Sequence, residues 1–113
     1  MLKIRLEIKP LSVNAAYQGR RFSTPAKNQY DKALQLLLPR TRVLGDYYKM
    51  HYRFYLKNFG NTDSQNLLKV LTDNIVKRGI IKDDRFVIDE RVQKFRAAKD
   101  RIEVDIEATT IEP

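Results

Sequence analysis

The chain opens on strict alternation. Leu2, Ile4, Leu6 and Ile8 fall on one side, and Lys3, Arg5, Glu7 and Lys9 on the other. That is the period-two signature of a half-buried strand, which Pro10 ends. A polar loop is expected from Ser12 through Asn14, Gln18, Gly19, Arg20 and Arg21. The period then lengthens. Thr24 and Pro25 read as an N-cap and a first-turn proline, whose missing N–H costs nothing there. Ala26, Tyr30, Ala33, Leu34 and Leu37 recur on one helical stripe until Pro39. After a turn near Gly45 and Asp46, residues 49–57 alternate again. Met50, Tyr52, Phe54 and Leu56 point inward, and Lys49, His51, Arg53, Tyr55 and Lys57 outward.

Gly60 and Asn61 make the next turn, and a second helix is predicted from Thr62 or Asp63 to Lys77, closed by Gly79. Its core face is Leu67, Leu68, Leu71 and Ile75; its outer stripe is Asn66, Lys69, Asp73 and Lys77. Two strands remain, 86–95 and 101–108, joined by a turn at 98–100. The order β-α-β-α-β-β predicts an α+β fold: a single four-stranded mixed sheet covered by two helices, with the last two strands an antiparallel hairpin. No repeat or linker divides the chain. One domain over 1–108 is expected, with 109–113 a C-terminal tail open to disorder.

Composition narrows the chemistry. The 113 residues are 42% hydrophobic and include six Tyr and five Phe, which excludes a disordered chain. There is no Cys and one His. Disulfides, thiolate zinc sites and His clusters are therefore excluded, and any metal must be one held by oxygen. No apolar run approaches the ~20 residues of a membrane span, so no membrane partner is expected and the expected compartment is the cytoplasm. Twenty-two Lys and Arg against 14 Asp and Glu leave +8. That balance suggests a polyanionic partner, although a merely soluble basic protein carries the same charge. The acidic residues gather around 83–90 and near the C-terminal end.

The informative stretch runs from Asn61 to Val87. Asp63 begins the second helix, Lys69 faces outward near its middle, and Asp83 and Asp84 precede the next strand. The Gly79 turn can return the Asp pair toward the helix's first turn. Carboxylates crowded that way are costly to ionise without a cation. Mg²⁺ is the usual partner, and on a phosphodiester it clamps oxygens and activates water. A plain structural reading stands beside this one. Asp63 is then an N-cap worth about 1 kcal/mol, Asp83 and Asp84 form a turn, and Lys69 and Asp73 are a solvated i,i+4 pair.

The run D-x-x-N-L-x-K-x-x-x-D, then Gly, then D-D-x-x-V, resembles the RusA family of Holliday-junction resolvases. It is carried by Asp63, Asn66, Leu67, Lys69, Asp73, Gly79, Asp83, Asp84 and Val87. Pro10, Ser12, Asn14 and Tyr17 resemble an upstream P-x-S-x-N-x-x-Y segment of the same family. The resemblance implies a small homodimeric endonuclease of bacteria and their prophages. It would use Mg²⁺, with Mn²⁺ as a substitute and no small-molecule cofactor, to nick branched DNA in recombination and repair.

Carried over residue by residue, Asp63, Asp84 and Lys69 become the catalytic set. Asp63, Asp84, Asp83 and Gln65 become the metal site, with Asp73 and Asn66 supporting them. Asn14, Arg20, Arg21, Lys77, Lys82 and Arg85 become DNA contacts. One position departs from the family's D-x-D-N: Gln65 stands where the second Asp belongs. An amide offers a metal an oxygen but no charge. With Thr62 as N-cap, Gln65 also fits the third position of a capping box. Two alternatives follow, a catalytically weakened junction-binding protein of the same fold and a non-enzymatic basic module that binds RNA or protein. His51 is expected as an outward polar residue, and Tyr30 and Tyr52 as core.

Overall fold

The computed structural model describes residues 1–18 and 22–111. The elements are β1 (Leu2–Leu6), α1 (Val13–Ala16), β2 (Tyr17–Gln18), β3 (Phe22–Ser23), α2 (Pro25–Leu37), β4 (Tyr47–Leu56), α3 (Gln65–Arg78), β5 (Val87–Arg96) and β6 (Arg101–Thr109). Single 3₁₀ turns form at Phe59–Asn61 and Asp84–Phe86. Four strands make one mixed sheet in the order β1-β6-β4-β5, and β2 and β3 pair separately. The α+β class and the mixed sheet are as expected. No helix among the described residues is long and apolar enough to cross a membrane.

The last two strands are not a hairpin. β4 lies between them, antiparallel to β6 and parallel to β5. The link 97–100 instead steps over the end of β4, where Ala97 N donates to Leu56 O at 3.1 Å and Lys57 N donates to Asp100 Oδ1 at 2.9 Å. Two strand spacings are about 10 Å, which four residues span easily. A short link is therefore compatible with either arrangement, and burial decides. β6 buries Ile102, Val104 and Ile106 and takes a partner on each side, whereas β5 carries charge along most of its length and takes the edge. The 30 residues between β4 and β5, α3 among them, supply the crossover that a parallel pair requires.

β1 and β4 alternate as predicted, burying Ile4 and Leu6, and Tyr48, Met50, Tyr52, Phe54 and Leu56. The pairing of β4 with β5 carries a one-residue bulge: Tyr48 pairs with Val87, but Lys49 pairs with Asp89 and Met50 with Glu90.

The helices differ in detail from the expectation. Thr24 caps α2 as predicted, its Oγ1 accepting from Lys27 N at 3.3 Å. The buried stripe is Tyr30, Leu34 and, just past the helix, Leu38, while Ala26 and Leu37 are exposed. The expected polar loop contains α1, capped by Ser12 Oγ on Ala15 N, and the Thr24 hydroxyl donates to Ala15 O at 2.7 Å to tie the two helix starts together. α3 begins later than predicted. Asp63 Oδ1 accepts from Gln65 N at 3.0 Å and Asp63 O from Asn66 N at 3.1 Å, while the Thr62 hydroxyl donates to Asn58 O. Gln65 is therefore the first helical residue, and the capping box expected from Thr62 is not formed.

α3 is buried on more than its leucine face, because α1 and α2 pack against it as well as the sheet. Asn74 lies within that interface. Its Nδ2 donates to Asp31 Oδ1 and Val70 O, and its Oδ1 accepts from Gln35 Nε2. Gly79 ends the helix at φ +85°, the left-handed position foreseen for it.

Candidate active site

The first two turns of α3 and the start of β5 enclose a groove of about 360 Å³. Gln65, Leu68, Lys69, Thr72 and Asp73 line it from the helix, and Asp84, Val87 and Glu90 from the other wall. The Gly79 turn does bring the Asp83–Asp84 segment back to the helix. Asp83 caps the 3₁₀ turn, its Oδ1 accepting from Arg85 N at 3.3 Å, and this turn delivers Asp84 to the groove. Behind Thr72, the buried Tyr52 hydroxyl, from β4, sits 2.8 Å from Thr72 Oγ1.

Lys69 Nζ lies 3.4 Å from both carboxylate oxygens of Asp73, one helical turn on. Asp84 feels several neighbours. The hydrogen-bonded Asp83 carboxyl raises its proton affinity, as do partial burial and Asp73, while Lys69 opposes them. Asp83 moves the other way, below the usual carboxylate value, through its bonds with Asp84 and with Arg85 N. Acidic groups thus crowd around Asp84, which holds a proton more readily than Asp83 does, and the Lys69 ammonium offsets them.

Asp63 lies elsewhere. It lines a neighbouring groove of about 370 Å³ with Ser12, Asn14, Thr62, Asn66 and Asp100. Asp63 and Asp84 therefore occupy different grooves that flank the first turn of α3. Asn14 and Asn66 belong with Asp63; Gln65, Lys69 and Asp73 belong with Asp84.

The basic residues are dispersed. Arg85 stands next to Asp84, its Nε 3.9 Å from Asp83 Oδ2 and its guanidinium 4.8 Å over the Phe86 ring. Lys82 Nζ is 3.7 Å from Asp46 Oδ1. Lys77 lines a third hollow with Asn28, Asp31 and Gln35 of α2, away from the acidic groove. Arg20 and Arg21 lie outside the described residues. His51 faces out as expected, with Nε2 2.6 Å from Gln93 Oε1 and Nδ1 3.1 Å from Arg53.

Glu90 is visible in the sequence only as part of the acidic run. Its signal was weak, because an alternating strand shows which residues share a face but not where a bulge shifts the phase.

The donor chemistry of the Asp84 groove suits a hard cation: carboxylates, one amide oxygen and no soft ligand. Mg²⁺ needs one or two protein carboxylates and keeps several waters. Among the described residues no three His, Asp or Glu side chains are grouped so as to hold a metal ion; an ion that keeps several waters needs only one or two carboxylates.

A family model described as endodeoxyribonuclease RusA matches residues 10–107. No curated protein matches the chain.

Proposed function

The chain belongs to the RusA endodeoxyribonuclease family, a family of junction-resolving nucleases, and from that premise we propose that it acts as a homodimer that nicks two strands of a four-way DNA junction with the help of a divalent metal. One observation carries the reading: Asp84, Gln65 and Lys69 line a single groove at the start of α3. Asp84 and the Gln65 amide would hold the ion, with Asp83 and Asp63 at the margins. An ion held there would supply Lewis-acid charge for the phosphodiester and lower the pKa of a bound water.

The remaining work falls to the chain's own groups. Lys69 would present its ammonium to the charge that develops on the phosphate, with Asp73, one turn on, as its exposed partner. Asn66 and Asn14 line the adjoining groove, where the strand leaving the site would run. Arg20, Arg21, Lys82 and Arg85 neutralise backbone phosphates, with Lys77 on a more distant face; reading a branched shape needs such contacts more than base edges. A two-fold dimer presents two equivalent sites to two symmetry-related strands. The substrate would be met in the cytoplasm, during recombination and repair.

The test is incubation of the protein with a synthetic four-way junction and Mg²⁺, mapped on a sequencing gel. Paired nicks at symmetric positions are expected. Asp84→Asn should lose cleavage while junction binding stays or tightens, because less negative charge then faces the phosphates. An unfolded Asp84→Asn, seen by circular dichroism, would make Asp84 a structural turn residue instead. A second reading keeps junction binding and loses turnover, and Gln65 favours it. Tight binding with no nick at any metal concentration would select it.

A further inference from the structure

Gln65 leaves the groove one carboxylate short, and the sheet register supplies a candidate replacement. β5 enters parallel to β4 with Tyr48 beside Val87. Continued without interruption, that register would set Asp89 beside Met50 and turn Glu90 to the open face of the sheet. The extra residue, Ile88, shifts the phase, so Glu90 pairs with Met50 instead. Met50 is buried under the helices, and Glu90 therefore shares the helix-facing side, where it lines the groove with Gln65 and Asp84. Asp89 is sent to the opposite face, beside Lys49, His51 and Arg91. A bulge beside a functional groove characteristically re-aims a side chain in this way. Glu90 and Asp84 also act together on one buried group: burial pushes the Tyr52 phenol up, its bond with Thr72 opposes that, and both carboxylates add to the rise.

We infer that Glu90 is a metal-binding carboxylate of this chain, doing from β5 what an acid at position 65 would do from α3. The inference rests on the metal-dependent reading above. Glu90 is exposed on an edge strand, with a free path into the groove and no core to disturb. Its charge restores what the Gln65 amide lacks, and Gln65 contributes an uncharged oxygen or a hydrogen bond to a bound water.

The experiment measures binding of Mn²⁺ to the DNA-free protein, by the loss of the free-ion electron paramagnetic resonance signal, with circular dichroism as a check of folding. Glu90→Gln should weaken binding by about tenfold or more, since even groups that only orient a metal ligand are worth roughly 10- to 100-fold. Asp89→Asn, one residue away on the other face, should leave it unchanged. Gln65→Asp should restore affinity in the Glu90→Gln background and add less to the native chain. If Asp84→Asn weakens Mn²⁺ binding while Glu90→Gln leaves it intact, the role of Glu90 is overturned and the groove reading survives. If the native chain binds no Mn²⁺, or neither variant weakens it, both fall together.

Discussion

Lys94 offers a direct test of how the site is held in place. It lies on the helix-facing side of β5, in register with Phe54. From there its ammonium donates to Thr62 O at 2.8 Å and Phe59 O at 3.1 Å, and it sits 4.4 Å over the Phe59 ring. It thus ties the loop that delivers Asp63 and the first turn of α3 to the sheet. Lys94→Met keeps most of the stem and removes the charge. Two charge-assisted bonds at about 1.5–3 kcal/mol each, with a cation–π contact of about 0.5–1, set a gross upper bound. Lys94 is half-buried, so water can reclaim the carbonyls, and a net loss of about 1.5 kcal/mol is expected.

The loss should be local. The amides of Gln65, Asn66 and Leu67 bond to Asp63 Oδ1, Asp63 O and Ser64 O, so hydrogen exchange followed by NMR should show their protection falling about tenfold. The buried stretch from Val70 to Ile75 should follow only the global stability measured in urea. Unchanged protection at 65–67 would refute the clamp. A uniform fall along α3 would make Lys94 a general stabiliser instead.

Three further outcomes are expected. Gly79→Ala should cost about 1 kcal/mol in urea denaturation, purely from the left-handed φ of +85°, because a Cβ there meets nothing within 4 Å. On the open face of the sheet, Arg53 holds Asp105 below its usual value, and Arg101 and Arg53 together overcome the burial of Glu103 and lower it too. Folded values below the unfolded ones mean that this stabilisation is complete above about pH 4–5 and is lost as pH falls through the depressed values; thermal melting should show that decline, and Arg53→Met should flatten it. Junction affinity should fall steeply with salt, each phosphate contact adding about 0.9 to the log–log slope, and an affinity flat from low to moderate salt would remove nucleic acid as the partner.

Much of the molecule is local physics, and the sequence carries it openly. Alternation along β1 and β4 follows from the two-residue period of a strand lying on one core. Thr24 before Pro25 and the left-handed Gly79 answer to the backbone at a single position, so they can be read without knowing any neighbour. Lys69 and Asp73 meet because one helical turn separates them. The motif from Asp63 to Val87 identified the family by the same directness.

What stayed hidden depends on contacts between distant segments. The hairpin expected of β5 and β6 failed because a four-residue link bridges adjacent strands and next-but-one strands equally well, and the choice belonged to which strand could tolerate an edge. α3 starts at Gln65 instead of at Thr62 or Asp63, with Lys94, over 30 residues away, holding the carbonyl of Thr62 in the preceding loop. Asn74 falls on neither face expected for its helix, and it is buried because α2 brings Asp31 and Gln35 to it. The split of Asp63 and Asp84 into two grooves rests on the loop that Lys94 holds and on the 3₁₀ turn before β5, and the turning of Glu90 into one of them rests on the phase of β5 against β4. A one-residue bulge inverts that phase and leaves no mark in hydrophobic periodicity, because the strand it shifts lies at the edge, where few of its side chains are buried deeply enough to record which face they occupy.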